Sequence, residues 1–182
     1  MDNTMELECI QEYQLTEPWH LSGSAQWSFA VKRGEKWFIK RFISPKYLIS
    51  GQGLSEEKVN ASRERCQVFC DGKQQLYERI RQADTGNLVP VTDFFRWENM
   101  FYAVSPYVAA SEYRKSVLYR LEEPKKLLIL KILSHCLASL HDNGIVHGDL
   151  KMDNIILKDF AGGMPIVKLI DFDASFLEEA PK

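Results

Sequence analysis

The 182-residue sequence has no apolar run approaching the ~20 residues that a membrane-spanning helix requires; the run Leu127–Leu130 is broken by Lys131. It has no excess of base either. The 23 Lys and Arg stand against 25 Asp and Glu, a net charge of −2, which gives no electrostatic footprint for a nucleic-acid binder. The amino terminus, MDNTMELECIQEYQLTE, carries acids where a secretory signal carries bases, and it lacks an apolar segment. Cysteine is sparse. Cys9, Cys66, Cys70 and Cys136 fit no zinc-ligand spacing, and without a secretion signal they read as the reduced thiols of a cytoplasmic protein. His20, His135 and His141 form neither a metal-ligand spacing nor a triad, and no Ser or Cys carries a nucleophile motif. Repeats and low-complexity stretches are absent.

What is present is a globular composition: 45% hydrophobic, 26% charged and 12% aromatic residues. Charge is uneven. Asp2, Glu6, Glu8, Glu12 and Glu17 make residues 1–20 an acidic lead-in with no Lys or Arg, and the remainder carries +3. The lead-in reads as a solvated extension, a short helix or an extra strand. From Trp27 the pattern turns to strands: WSFAVKRG and EKWFIKRFI flank the polar turn Lys32–Glu35 and predict a hairpin. Pro45, Gly51 and Gly53 mark a loop. Ser55 is an N-cap followed by Glu56 and Glu57, and Val59, Cys66, Phe69, Leu76 and Ile80 share a face of a long helix. Gly72 predicts a bend or break within it. LVPVTDFFRW and MFYAVSPYV predict a second hairpin across Glu98-Asn99, and Ser111–Arg120 a short helix. Pro124 opens a second long helix with Leu127, Leu130, Leu137 and Leu140 on its apolar face, ended by Asn143-Gly144. Short strands are expected at Ile155–Leu157 and Ile166–Ile170. The order ββ–α–ββ–α–β–β implies an α+β fold in two lobes.

The strongest chemical signal is VHGDLKMDNIIL, Val146–Leu157. Asp149, Lys151 and Asn154 stand in a helix-to-strand loop, and Asp171 follows in KLIDFDAS at the end of an apolar strand. Phosphoryl transfer calls for these residue types: a carboxylate to take the attacking hydroxyl's proton, an acid and an amide oxygen for Mg²⁺, and a Lys to neutralise the transferring group.

This arrangement resembles the protein kinase family over about residues 20–175, and its details are most similar to bacterial Ser/Thr kinase-like proteins. The resemblance implies a kinase-like α+β fold. An antiparallel sheet with a long helix forms its first lobe (21–108, after the acidic extension 1–20), and residues 109–182 give only the beginning of a helical second lobe. It further implies ATP and Mg²⁺ as cofactors. Asp149 would be the catalytic base and Lys151 the γ-phosphate lysine. Lys40 in WFIK, Gly23, the Pro106 carbonyl and the Val108 amide would hold ATP, and Asn154 and Asp171 the metal. An acid of the long helix should pair with Lys40, and Glu64, Asp71 and Glu78, at intervals of seven, all qualify by spacing. Of the glycine-rich loop only Gly23 remains. Phe38 stands where a small residue lies against adenine, and its ring either fills part of the nucleotide pocket or packs in the core. Gly148 replaces the Arg that answers a phosphorylated activation loop, which implies no regulation of that type. Asp173 replaces a glycine and reads as a turn carboxylate, and His147 as structural.

Three functions follow as expectations: transfer of phosphate to protein Ser/Thr hydroxyls, a pseudokinase acting as a binding or regulatory module, and an aminoglycoside- or choline-type small-molecule kinase. Lys151 favours a protein substrate. Lys182 falls where an activation segment begins. The expected molecule is therefore the front part of a longer kinase, or a shortened one whose second lobe is covered by a partner or by self-association.

Overall fold

Strand alternation and helical periodicity dictate most of the elements seen in a computed structural model, which describes residues 7–23, 25–50, 53–109, 118–159 and 165–178. Residues 1–6 of the acidic lead-in, Ser24, residues 111–117 of the expected short helix and Lys182 lie outside them. The chain divides into two compact units, 1–74 with 91–107 and 75–90 with 108–182.

In the first unit the described part of the lead-in forms strands, β1 (Cys9–Ile10) and β2 (Tyr13–Leu15), followed by β3 (His20–Ser22). The two expected hairpins are β4 (Ala25–Lys32) with β5 (Glu35–Phe42), and β6 (Asp93–Trp97) with β7 (Met100–Pro106); α1 (Glu56–Ala83) runs between them in sequence. The first hairpin closes through Arg33 and Gly34, both at positive φ (53° and 81°), the geometry of a tight two-residue turn. The strands form one antiparallel sheet in the order β1-β2-β4-β5-β7-β6, with β3 also paired to β4.

Register sorts the two faces. Ala30, Ile39, Tyr102 and Val104 point to one face, where Ile10, Tyr13 and Leu15 of the lead-in complete a buried cluster. Tyr13 also hydrogen-bonds Asp93 at 3.1 Å. Ile10, Tyr13 and Leu15 of the lead-in are thus part of the core. The opposite face carries the pairs Trp27–Lys40 and Phe29–Phe38. At one end of this face Phe42, Phe94 and Phe101 meet Phe69 of α1, with ring centroids 5.2–6.3 Å apart.

Helix α1 begins where Ser55 predicts, with Val59 N–H bonded to the Ser55 carbonyl at 3.2 Å. It buries Val59, Cys66, Leu76, Tyr77 and Ile80. Gly72 neither breaks nor ends it. The residue lies on the exposed side with open space around it, so the buried stripe stays in register and absorbs the cost.

The second unit holds the last turns of α1 and α2 (Glu123–Asp142), β8 (Ile145–Val146), β9 (Ile155–Asp159), β10 (Pro165–Leu169) and β11 (Phe176–Leu177). β9 pairs with β10 and β8 with β11, both antiparallel. The α1 end is tied in by Ser139 Oγ donating to the Ala83 carbonyl at 2.7 Å and Val89 N–H to Leu169 at 2.9 Å. The expected apolar face of α2 holds at Leu140 and is corrected at Leu127 and Leu130. Ile129, Cys136 and Leu140 are the buried residues, whereas Leu127 and Leu130 are 58% and 59% exposed. The sequence LLILKILSHCL offers several stripes at helical spacing, and β9 and β10 select the one through Ile129, which packs on Leu157 and Val167. Among the described residues no helix is long and apolar enough to cross a membrane.

Candidate active site

The loop between β8 and β9 is built on a buried histidine. His147 is 2% exposed. Its Nδ1 accepts the Asp149 backbone N–H at 3.3 Å, which leaves the ring proton on Nε2 to donate to the Ile170 carbonyl at 3.2 Å. Burial holds its pKa below the usual imidazole value, so the ring is neutral and structural, as its sequence position implies. One residue on, Gly148 takes φ 76°.

Asp149 and Lys151 emerge from this support. The Lys151 ammonium donates to Asp149 Oδ2 at 2.6 Å. That bond, with a second from Asn154, holds the Asp149 carboxyl below the ordinary carboxylate range, and the same bond raises Lys151. Asn154 closes a single 3-10 turn, Met152–Asn154, and is 4% exposed. Its Nδ2 donates to both the backbone carbonyl and Oδ2 of Asp149, at 2.8 and 3.0 Å. Asp149 Oδ2 is therefore saturated, while Oδ1 has no partner among the described residues and the side chain is 40% exposed.

Asp171 reaches the same place through the backbone. Ile170 N–H bonds to the Asn154 carbonyl at 3.0 Å, which sets the two residues side by side. Asp171 itself adopts φ 65°, a left-handed conformation that Asp tolerates, and its Oδ1 faces the Asp173 N–H at 3.4 Å. Asp173 thus belongs to a turn after Asp171. Asp149, Lys151, Asn154 and Asp171 form one constellation within the second unit.

The donor set fits a hard cation carried with phosphates. Asn154 spends both its Nδ2 bonds on Asp149, and its Oδ1 has no partner among the described residues. That oxygen and the Asp171 carboxylate are the ligand type Mg²⁺ prefers. No group of three His, Cys, Asp or Glu among the described residues could hold a metal by itself. A pair of protein oxygens is what a nucleotide-borne Mg²⁺ uses.

Of the remaining sequence candidates, Lys40, Gly23 and Pro106 belong to the first unit and Val108 to the second. Lys40, on β5, is 9% exposed, with Nζ 5.7 Å from the centroid of the Phe38 ring. Phe38 stacks on Trp27 (5.6 Å) and meets Phe29 edge-on (5.9 Å), and Phe29 meets Tyr107 (5.2 Å). Lys36 Nζ lies 4.5 Å from the Tyr107 centroid. These rings are only half-buried, so they form a cation-flanked aromatic surface on the Lys40 face. Gly23 takes φ 56°, a left-handed conformation that favours glycine, and no described residue lies within 4 Å of an added Cβ. Pro106 ends β7, opposite Trp37 in β5, and Val108 follows one residue after Tyr107. Glu64, Asp71 and Glu78 all sit on exposed positions of α1; Asp71 accepts from Gln67, and Glu78 from Arg81 and Gln82.

Sequence reasoning missed two groups. Buried Tyr77 has its hydroxyl pKa pushed up, first by burial and then by the charges of Asp173 and Asp171. Ser175, 7% exposed, donates to the His147 carbonyl at 2.9 Å. Helical spacing could have flagged Tyr77; nothing local flags Ser175.

The protein kinase domain family model matches residues 62–181. The chain is 30% identical over 100 residues to calcium-dependent protein kinase 4 of Plasmodium berghei (strain Anka), covering 54% of this chain and 19% of that one. It is 30% identical over 115 residues to serine/threonine-protein kinase D of Synechocystis sp., covering 63% and 22%. Among solved structures, Rad53 1-466 in complex with AMP-PNP superposes with a TM-score of 0.63 at 19% identity, over 90% of this chain and 39% of that one. The chain thus spans less than a quarter of the length of these two curated relatives.

Proposed function

Because the chain belongs to the protein kinase domain family, we propose that it transfers the γ-phosphate of Mg·ATP to Ser/Thr hydroxyls of a protein. The observation that carries this reading is the Asp149 carboxylate. It is kept ionised by Lys151, fixed at Oδ2 by two donors, and left with Oδ1 unpartnered among the described residues on a part-exposed side chain. A carboxylate so held can orient an incoming hydroxyl and take its proton. Lys151, beside it, supplies positive charge where the phosphoryl group would pass. Asn154 and Asp171 would hold the Mg²⁺, which when bound neutralises charge on the phosphates. Lys40, Gly23, Pro106 and Val108 would serve the nucleotide, and the Lys36- and Lys40-flanked rings suit a planar base with an anionic tail.

The test is incubation of the chain with γ-labelled ATP, Mg²⁺ and a generic protein substrate. Acid-stable label on Ser or Thr is expected. Label that is confined to amino sugars or amino alcohols in a parallel panel would instead assign a small-molecule kinase.

One observation favours a second reading, a nucleotide-free binding module. Phe38, Phe29 and Trp27 crowd the Lys40 face, and Gly23 alone remains of a glycine-rich loop. Phe38→Ala separates the two. If the ring occupies base space, removing it should tighten mant-ATP binding about fivefold, the equivalent of ~1 kcal/mol. A loss of affinity would make the ring a stacking platform, and undetectable binding in both proteins would favour the module.

A further inference from the structure

The segment after Asp171 folds back on the loop that carries Asp149. Phe176 and Leu177 pair with Val146 and Ile145, and Glu178 N–H bonds to the Gly144 carbonyl at 2.8 Å. Two contacts lie between this ladder and the carboxylates. A Cβ added at Gly148 would stand 2.3 Å from the Ala174 carbonyl oxygen and 3.0 Å from its carbon. Both are backbone atoms that cannot swing aside, so the bare Gly148 α-carbon is the notch into which the Ala174 peptide docks. One residue further, Ser175 Oγ donates to the His147 carbonyl at 2.9 Å, and Ser175 N–H bonds to Phe172 at 3.2 Å.

We propose that Gly148 and Ser175 are positioning residues. Together they clasp the Ala174–Ser175 backbone to the His147–Gly148 backbone, and so fix the separation and orientation of Asp171 and Asp149 by packing and hydrogen bonding alone. The inference rests on the reading of those two carboxylates as working groups.

The argument is geometric. Gly148 has two reasons to be glycine, its φ of 76° and the Ala174 carbonyl, whereas a turn alone would need only the first. Ser175 is buried in a segment otherwise held by a two-residue strand pair, which is marginal alone. Its hydroxyl bond spans 28 residues of sequence and ends on the residue whose ring also holds Ile170, next to Asp171.

The experiment uses the full chain in three variants, Gly148→Ala, Ser175→Ala and Ser175→Thr. Hydrogen–deuterium exchange without ligand is read at Phe176–Glu178, with α2 as the internal reference. Exchange should quicken about tenfold in the two Ala variants, as expected for loss of a buried hydrogen bond or a forced backbone shift. It should stay at the wild-type rate in Ser175→Thr, with α2 unchanged in all. In the transfer assay kcat should fall about tenfold in the Ala variants, with the KM for ATP within about twofold, because binding is preserved and carboxylate placement is not. Wild-type exchange in both Ala variants would overturn the clasp, and quickened exchange with unchanged kcat would overturn its positioning role. Should Gly148→Ala fail to fold, Ser175→Ala decides alone. Because the exchange readout needs neither nucleotide nor transfer, a chain that transfers no phosphate yet shows the exchange effect would refute only the kinase reading.

Discussion

Asp149→Asn is expected to lower phosphoryl transfer by about 10²–10⁴-fold, the range that a positioned general base contributes, while leaving the fold intact. The substitution is nearly isosteric. An amide oxygen at the Oδ2 position can still accept from Lys151 and Asn154, so both present bonds of 2.6 and 3.0 Å have a successor. What is lost is the negative charge and the second oxygen, now an NH₂ that cannot take a proton. The Asp149–Lys151 pair lies at the surface, with side chains 40% and 52% exposed, and such pairs add little to stability. The melting temperature should therefore stay close to wild type while the rate of label transfer collapses. Transfer by the Asn variant within about threefold of wild type would remove Asp149 from the base role, since a base effect that small is below the ordinary range.

The constellation around Asp149 was legible in the sequence because three of its members fall within six residues. At that range, a loop leading into a turn dictates proximity, and Asp149, Lys151 and Asn154 are indeed hydrogen-bonded neighbours. Asp171 was legible for a different reason. It follows an apolar strand, β10, two residues past its end, and the pairing of β10 with β9 carries Ile170 to Asn154. The two hairpins and both long helices were equally readable, since period-two and period-3.6 patterns run there for several repeats. The shortest elements were not: β1, β8 and β11 have two residues each, and β3 has three, too few for any period to show. Of the expected stripe of α2 Leu140 is buried but Leu127 and Leu130 are exposed, because apolar residues fall at several helical spacings and only the partner strands choose among them. The notch at Gly148 is a contact between residues 26 positions apart whose cause is a backbone carbonyl, and no side-chain pattern encodes it.

Phe38 shows the limit of reading residue types singly. In the sequence its ring could be core packing or a plug. Its cross-strand partner Phe29 and its neighbour Trp27 place it in a half-buried aromatic surface shared with Lys40, opposite to the face that holds Ile39 and the lead-in. Alternation along β5 fixes that choice, because Ile39 is buried in the core and Phe38 and Lys40 must point the other way. The same alternation puts Lys40, two residues from Phe38 and two from Phe42, on their face, where the residue is 9% exposed and its Nζ lies 5.7 Å from the Phe38 centroid.

Asn154→Asp should be the most damaging single-atom change in the second unit, with a loss of about 2–4 kcal/mol at neutral pH. Asn154 is 4% exposed, and its amide nitrogen supplies both bonds that hold the Asp149 carbonyl and carboxylate. Exchanging that nitrogen for oxygen removes two donors and sets a second carboxylate against the first at the present 3.0 Å contact. Two carboxylates so placed cannot both stay ionised without cost, so the pair's folded-state pKa must rise above the unfolded value. The sign follows directly. A raised pKa leaves the penalty complete at pH above the folded value, and the penalty fades as pH falls and one proton is taken up between the two oxygens. Melting temperature measured against pH should therefore show the Asp variant far below wild type at pH 7 and converging on it in mild acid, while Asn154→Ala, which removes the donors without adding charge, should lie lower than wild type by a nearly constant amount. Two parallel curves would mean that the lost donors alone set the stability and that the side chain at 154 does not face the Asp149 carboxylate. A Mg²⁺-dependent gain in the Asp variant's melting temperature that Asn154→Ala lacks would in addition place position 154 at the metal, because only the variant carboxylate can exchange its repulsion for coordination.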